Sequence, residues 1–558
     1  MKNGVFTEEE LNKLDRKDLT EMYLAMQSII TVKDNKIEKL EAEYEKKKAL
    51  VTKLEETLGM LTEQLNISNM YRFGAPNGKM ESGNQVHFVF NEIEGIAISL
   101  DDYEEPKIKT VVGSYEKNKA RKRKGKKAED LKGLPITIVN HELSDEELST
   151  EFPSGYRKLK DEIYSKLEYH PAWFEVKEHH LAVYRDKASS KIIRAPHPRE
   201  MLDKSVATPS IVAGIMNAKY VNAVPLRRQE AEFKRYDLNI SEQNMSSWVI
   251  RTTERYLSLL YDRMKEELLN TELIHADETP VKVSKDGRDG MKKSYMWVYR
   301  TGNRTDTKPT ILYDYRKGRS SDDALNFLGN YSGKLVCDGY TVYRSLSKRE
   351  DVHFEIAGCW AHALRKFRDI SKAATGSNKE KIPTRVAEEA ASKISEIYYA
   401  DNALTSLKPE ELLNRRDTEV RPLVEGFFVW IKAIQDELPP SSSTSKAISY
   451  CLNSEEFLKR FLDDAMIPLD NNPAEQAIRP FTVGRNNWKL IDTVHGAEVS
   501  AIIYSIVETA KANSIKPYHY LNHLLTEIPK HMDDSNLDFI EELLPWSESL
   551  PEEIKSKE

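Results

Sequence analysis

Residues 30–65 repeat every seven positions. One register reads Ile30, Ile37, Tyr44, Val51, Leu58 and Leu65, and the position three later reads Lys33, Leu40, Lys47, Leu54 and Leu61. Nine of these eleven sites are apolar, over five heptads, with Glu and Lys filling the intervals. A repeat sustained that long predicts a leucine-zipper coiled coil over 30–66, with the two seam lysines weakening it or setting its register. A homodimer is expected, with Ile37, Leu40, Val51, Leu54, Leu58 and Leu61 as its contacts. One long helix packed on its own domain is the competing reading. Residues 1–29 read as a helical segment leading into the zipper.

At about 150 residues per domain, the 558 residues predict three or four domains. The net charge is −7, but it is unevenly placed. Residues 531–558 hold nine acids against two lysines, which leaves 81 basic and 81 acidic residues in the rest. The body is neutral, so the average charge does not exclude a nucleic-acid partner. Pro545, Pro551 and the acid count predict a loosely ordered acidic tail over 531–558. Cys337, Cys359 and Cys451 are too few for a disulfide framework and fit a reducing cytoplasm. Residues 1–10 carry no apolar signal core and no apolar run approaches membrane-spanning length, so a cytoplasmic protein without membrane contact is expected.

Between residues 67 and 133 the chain reads as a basic linker. Lys117, Lys119, Arg121, Lys122, Arg123, Lys124, Lys126 and Lys127 stand within eleven residues that hold no acid. Such a block repels itself and stays extended, and it suits DNA phosphates or plain solvation. Residues 134–205 read as a strand-rich module containing Ile136–Val139 and Trp173–Tyr184. Its histidines lack any CxxC partner, and His179 and His180 face opposite ways on a strand, so zinc is not expected there. From 206 to 270 the pattern is helical. Leu226–Tyr236 and Ser241–Tyr256 flank a short turn with Ser241 as N-cap, which fits a helix-turn-helix or an ordinary helical hairpin. Gln243, Asn244 and Arg251 would be its DNA-reading residues.

After residue 270 the period changes to that of strands. Leu273–Val283, Tyr295–Arg300 and Thr310–Tyr315 precede a helix at Ser321–Leu328 and a fourth strand, Lys334–Tyr340. Three strands, a helix and another strand form the ribonuclease-H-like order, which makes the first and fourth strands neighbours. Asp277 would lie within the first and Asp338 at the end of the fourth. Two-ion phosphodiester chemistry needs converging carboxylates that hold hard divalent cations about 4 Å apart. Glu475 is the third candidate. Each acid also has a plainer reading: Asp277 with Glu278 as an exposed strand end, Asp338-Gly339 as a turn, and Glu475 as a capping acid at N3 behind Asn472 as N-cap. The 136 residues between Asp338 and Glu475 require an insertion, and helical stripes such as Val386/Ala390/Ile394/Ile397 make it all-helical over 371–465.

The strings HADETPVKV (275–283), CDGY (337–340), GCWAHALRKF (358–367) and LDNNPAEQAIRPFTVGRNNWKL (469–490) resemble the signature blocks of the insertion-sequence-66 family of DDE transposases. The zipper, RFGAPNGKM (72–80) and ATPSIVAGIMNAKYVNAVPLRRQE (207–230) extend the resemblance over most of residues 25–530. It implies a prokaryotic DNA transposase, nucleoid-associated when bound, that cleaves element ends and joins them to target DNA. It also implies Asp277, Asp338 and Glu475 as the triad holding two Mg2+ or Mn2+ ions, with helper proteins of the same element as possible partners. Arg365, Lys366, Arg368, Arg479, Arg485 and Lys489 become candidate phosphate contacts, and His362 a candidate neighbour of the scissile phosphate. The family's paired-cysteine module has no cysteine counterpart here, so zinc is not expected as a cofactor. A non-joining nuclease on the same fold and a non-catalytic DNA-binding relic are the alternatives.

The expected fold is thus a multidomain α+β chain. It comprises the coiled coil, a strand-containing module, helix-turn-helix-like helices, and a ribonuclease-H-like catalytic domain (271–370 and 466–530) split by the helical insertion.

Overall fold

A computed structural model describes residues 8–11, 14–73, 174–180, 182–185, 192–194, 199–289, 292–302, 308–339, 341–374 and 382–556. The basic run 117–127, the strand expected at 136–139 and most of the 134–205 module lie outside the described residues. Contacts divide the chain into a unit of residues 1–77 with 175–558 and a unit of 78–174. The elements below belong to the first.

The heptad region is part of one helix, α1 (Arg16–Phe73), which starts inside the expected N-terminal segment and outruns the zipper. Ile37, Leu40, Val51 and Leu58 are each more than half exposed along it. A small antiparallel hairpin follows, β1 (Val183–Arg185) with β2 (Ile192–Arg194). His179 and His180 precede it as exposed residues.

The helical region comprises α2 (Pro209–Met216), α3 (Leu226–Arg235), α4 (Glu242–Thr252) and α5 (Ser258–Leu269). Ser241 caps α4 by accepting from the Asn244 backbone N–H at 3.2 Å, the N-cap geometry its sequence position implies. Buried Gln229 of α3 donates to the Val224 carbonyl at 3.0 Å, closing the preceding turn. Met245, Trp248, Val249 and Thr252 face the core, which leaves Gln243, Asn244 and Arg251 exposed.

Next comes the main sheet, formed by β3 (Leu273–Lys285), β4 (Lys293–Thr301), β5 (Ile311–Arg316), then, after helix α6 (Ser321–Leu328), β6 (Lys334–Val336), and, after α7 (Thr341–Leu346), β7 (Glu355–Ala357). The spatial order is β5-β4-β3-β6-β7; β3–β4 and β4–β5 are antiparallel, and β3–β6 and β6–β7 are parallel. The fourth strand of the sheet is shorter than its sequence suggests. It ends at Val336, so Asp338 lies just beyond it. Burial along β3 is continuous through Ala276 and then alternates from Thr279 onward. Asp277 and Glu278 sit where cover on the second face ends.

The insertion is helical throughout its described residues: α8 (Trp360–Ala373) leads into α9 (Ile382–Asn402), α10 (Pro409–Arg415), α11 (Arg421–Ile434), α12 (Ser443–Asn453) and α13 (Glu455–Lys459). It has its own apolar core around Trp360, Phe427, Phe428 and Ile394. Arg416 is wholly buried there. It pairs with buried Asp401 at 2.7 Å and donates to the carbonyls of Phe461 and Ile467 at 2.5 and 3.2 Å, which fixes the chain that re-enters the sheet domain.

The return leg is α14 (Asn472–Trp488), β8 (Ile491–Thr493), which pairs in parallel with the far end of β3, then α15 (Val494–Ala512) and α16 (Pro517–Glu527). The acidic segment that follows is not loose. Ile540, Leu543, Leu544, Leu550 and Ile554 are buried in the core shared with the sheet, and Ile515 forms a β-bridge with Lys555. The expectation of a loosely ordered tail is corrected. Its aliphatic residues fall between acids with no regular period, yet they suffice to dock it.

Candidate active site

The register of β3 and β6 brings two of the three predicted acids together. Their ladder ends at the pair His275–Val336. Asp277 and Asp338 lie two residues past that pair on their respective chains, where the strands part. Glu475 arrives from the first turns of α14, which is fastened over the sheet at three levels. Asn471 Nδ2 donates to the Ala276 carbonyl at 2.8 Å, Arg300 to the Pro473 carbonyl at 3.3 Å, and Arg485 to Thr279 Oγ1 at 2.8 Å.

The plainer reading of Glu475, a capping acid at N3 behind Asn472, is corrected. The N-cap is Asn471, one residue earlier than Asn472, so Glu475 follows N3. The shift has a local cause. Asn471 is fully buried and its side chain is held by β3: besides the Ala276 bond, its Oδ1 lies 2.8 Å from His275 Nδ1. Glu475 instead accepts from Arg365 through Oε2 at 2.6 Å and turns Oε1 toward His362 Nδ1, 3.4 Å away.

Burial drives the Asp277 carboxyl well above the usual carboxylate range, and the charges of Glu278, Asp338 and Glu475 push it further. Glu278 is pushed up to about 7, first by burial and then by Asp338, against the opposing pull of Arg319. Four carboxylates therefore feel one another beside the middle of β3. Arg319 pairs with Glu278 and stands 3.6 Å from Asp338, while the buried Tyr343 hydroxyl donates to Glu278 at 3.0 Å. Glu278, Arg319, Tyr343, Asn471 and His275 were not singled out from sequence. Only Glu278 carried a signal, being adjacent to Asp277; the others are joined to the site by the fold.

The insertion forms one wall. Tyr450 of α12 accepts from the Gly339 N–H at 3.1 Å, directly after Asp338, and Tyr398 of α9 donates to Asp470 at 3.4 Å. Of the basic candidates, Lys366, Arg368, Arg479 and Lys489 are exposed, with Lys366 4.5 Å over the Tyr450 ring and Arg368 donating to Ser395. Arg485 is half-buried between α14 and β3. Among the described residues, the one group of three metal-capable side chains whose ligand atoms all lie within 4.8 Å is Cys359, His362 and Glu475.

Residues 204–499 match the family described as "Transposase IS66 family", and residues 505–546 match its "IS66 C-terminal element". The chain belongs to the IS66 transposase family. Membership makes it a DNA-processing protein of the transposase class, with DNA the implied substrate. It is 26% identical over 546 residues to "Uncharacterized protein y4qI" of Sinorhizobium fredii, spanning 95% of this chain and 96% of that one. Two further proteins of the same organism, y4jD and y4hP, are 28% and 27% identical over 363 and 402 residues. These matches cover 64% and 70% of this IS66 family member and 69% and 72% of the relatives. No helix among its described residues is long and apolar enough to cross a membrane.

Proposed function

We propose that this chain cleaves the ends of a DNA element and joins them to target DNA, using Asp277, Asp338 and Glu475 as the acids of a two-metal site. The observation that carries the reading is the register. Asp277 and Asp338 stand two residues beyond the last β3–β6 pair, and α14 is bolted to β3 beside them, near enough for the charge of Glu475 to act on Asp277. The sheet order and strand directions support a ribonuclease-H-like domain. The donor set is all oxygen, and its mutual repulsion favours a multivalent cation, as Mg2+ or Mn2+ requires. Two such ions would be held by the triad, and when bound they supply activation of the attacking oxygen and stabilisation of the leaving one.

The chain's own residues do the positioning. Arg365 holds one oxygen of Glu475 and leaves the other turned toward His362. Arg319 and Tyr343 tie Glu278 down, keeping the fourth acid from competing for the triad's place. Lys366, Arg368, Arg479 and Lys489 offer exposed positive charge for DNA phosphates, and Gln243, Asn244 and Arg251 offer an exposed polar helix face to a groove. The linker Lys117–Lys127 would add sequence-independent affinity. Dimerisation through α1 and helper proteins belong to the same proposal.

Replacing Asp277, Asp338 or Glu475 with Ala is expected to abolish Mg2+-dependent cleavage and joining of end-containing DNA while leaving its binding intact in a mobility-shift assay. Full joining activity in any one of the three would overturn the assignment. Cleavage without joined product in the unmodified protein would favour a nuclease.

A further inference from the structure

Glu475 belongs to a second donor set. Cys359 is the N-cap residue of α8 and His362 lies at N3 of the same helix. N-cap and N3 side chains meet across a helix's first turn, so the Cys-x-x-His spacing converges without distortion. Glu475 reaches the same point from α14, and the three ligand atoms lie within 4.8 Å of one another.

A second observation points to a missing occupant. His362 Nδ1 and Glu475 Oε1 are both buried, 3.4 Å apart, and neither has a hydrogen-bond partner. Leaving two buried polar atoms unsatisfied side by side is costly, and a shared cation would satisfy both. Arg365 secures Oε2, which fixes Oε1 in its orientation toward the imidazole. The donors are one sulfur, one nitrogen and one oxygen. That mixture suits a borderline-soft ion with tetrahedral preference; Mg2+, which wants oxygen alone, is poorly served by it. The Asn471 backbone N–H lies 3.2 Å from Cys359 Sγ, an outer donor of the kind that steadies a bound thiolate.

We propose that Cys359, His362 and Glu475 bind a divalent cation of the zinc class, with the fourth position left to solvent, and that its binding withdraws Glu475 from Asp277 and Asp338 and so inhibits the Mg2+ reaction. The thiol proton is released to buffer on binding. The site is remote in sequence from the cysteine-free 134–205 module. The inhibitory half rests on the triad reading, whereas the binding half does not.

The test titrates the full chain with Co2+ under reducing conditions. A thiolate-to-cobalt charge-transfer band is expected, bleached by Zn2+, retained in Cys337→Ser and Cys451→Ser and lost in Cys359→Ser. His362→Ala is expected to weaken Zn2+ binding at least about tenfold, the loss that even an outer-sphere partner causes; it keeps the test open should Cys359→Ser misfold. Absence of the band, its survival in Cys359→Ser, or unchanged Zn2+ affinity in His362→Ala would overturn the site. In cleavage assays Zn2+ is expected to inhibit and rising Mg2+ to relieve the inhibition. A cobalt band with Zn2+-insensitive cleavage would overturn the inhibitory half alone. A band in a protein with no Mg2+-dependent cleavage would sustain the site and refute the triad reading together with the inhibition built on it.

Discussion

At Asn471 one residue joins three elements. Its amide nitrogen donates to Ala276 in β3, its amide oxygen meets His275, and its backbone N–H reaches Cys359 at the head of α8. The bond to Ala276 sets the height of Glu475 relative to Asp277, since it fixes the start of α14 one residue before Asp277 on the strand. Asn471→Ala leaves a buried carbonyl and a buried imidazole without partners. It is expected to destabilise the protein by about 2–3 kcal/mol in urea unfolding and to lower cleavage at saturating Mg2+ more than it weakens DNA binding. Stability and cleavage both unchanged would remove Asn471 from any positioning role. Gly339 is constrained in a different way: a Cβ there would run into the Tyr450 hydroxyl. Gly339→Ala must displace either Tyr450 or the Asp338 loop. It is expected to reduce cleavage, and Tyr450→Ala, which removes both the hydroxyl and the ring carbons that a Cβ would meet, is expected to restore part of it in the double variant; no such recovery would separate the two residues.

Among the elements, those with a strong internal period were the legible ones. The alternation in β3, the stripe on α4 and the apolar spacings of α9 and α11 can be read locally because each repeats within one element. The end of β6 could not be read that way: Cys337 is buried and continues the apolar run, but pairing stops at Val336. The position of α14 was equally hidden, because its cap residue is claimed by a strand almost two hundred positions earlier. Arg416 in the insertion makes the same point. Nothing local marks this arginine as buried, yet it pairs with Asp401 and caps three carbonyls at 2.5 to 3.2 Å. Asp401→Ala would strand a buried guanidinium and is expected to cost about 3–5 kcal/mol. Arg416→Met, which removes the charge but keeps much of the volume, leaves Asp401 uncompensated, so the double variant with Asp401→Ala should recover part of either single loss. Thermal melts of the four proteins check this; additive losses would mean that the pair is uncoupled.

For the molecule as a whole, the charge and the core are linked in the final segment. The nine acids of 531–558 lie on a stretch that places five aliphatic residues in the central core. Arg263 of α5 pairs with Glu541, the Tyr520 hydroxyl donates to the Leu543 carbonyl at 2.5 Å, and the Lys516 N–H donates to the Ile554 carbonyl at 2.8 Å. Composition alone pointed to disorder because it weighs the acids and ignores where five aliphatic side chains land. Burying each such side chain contributes roughly 1.5–3 kcal/mol, so five approach the whole net stability of a typical domain. Deleting 531–558 is therefore expected to abolish the cooperative unfolding transition of the sheet domain in calorimetry or to lower its midpoint sharply. A looser tail would predict the opposite: an unchanged midpoint, with only non-specific DNA affinity and its salt dependence altered. Point variants separate charge from packing. Leu543→Ala with Ile554→Ala should destabilise by about 4 kcal/mol or more, whereas Glu552→Gln with Glu553→Gln, on an exposed turn, should leave the midpoint nearly unmoved. An unchanged midpoint in the aliphatic pair would mean that the segment is not held by its core contacts.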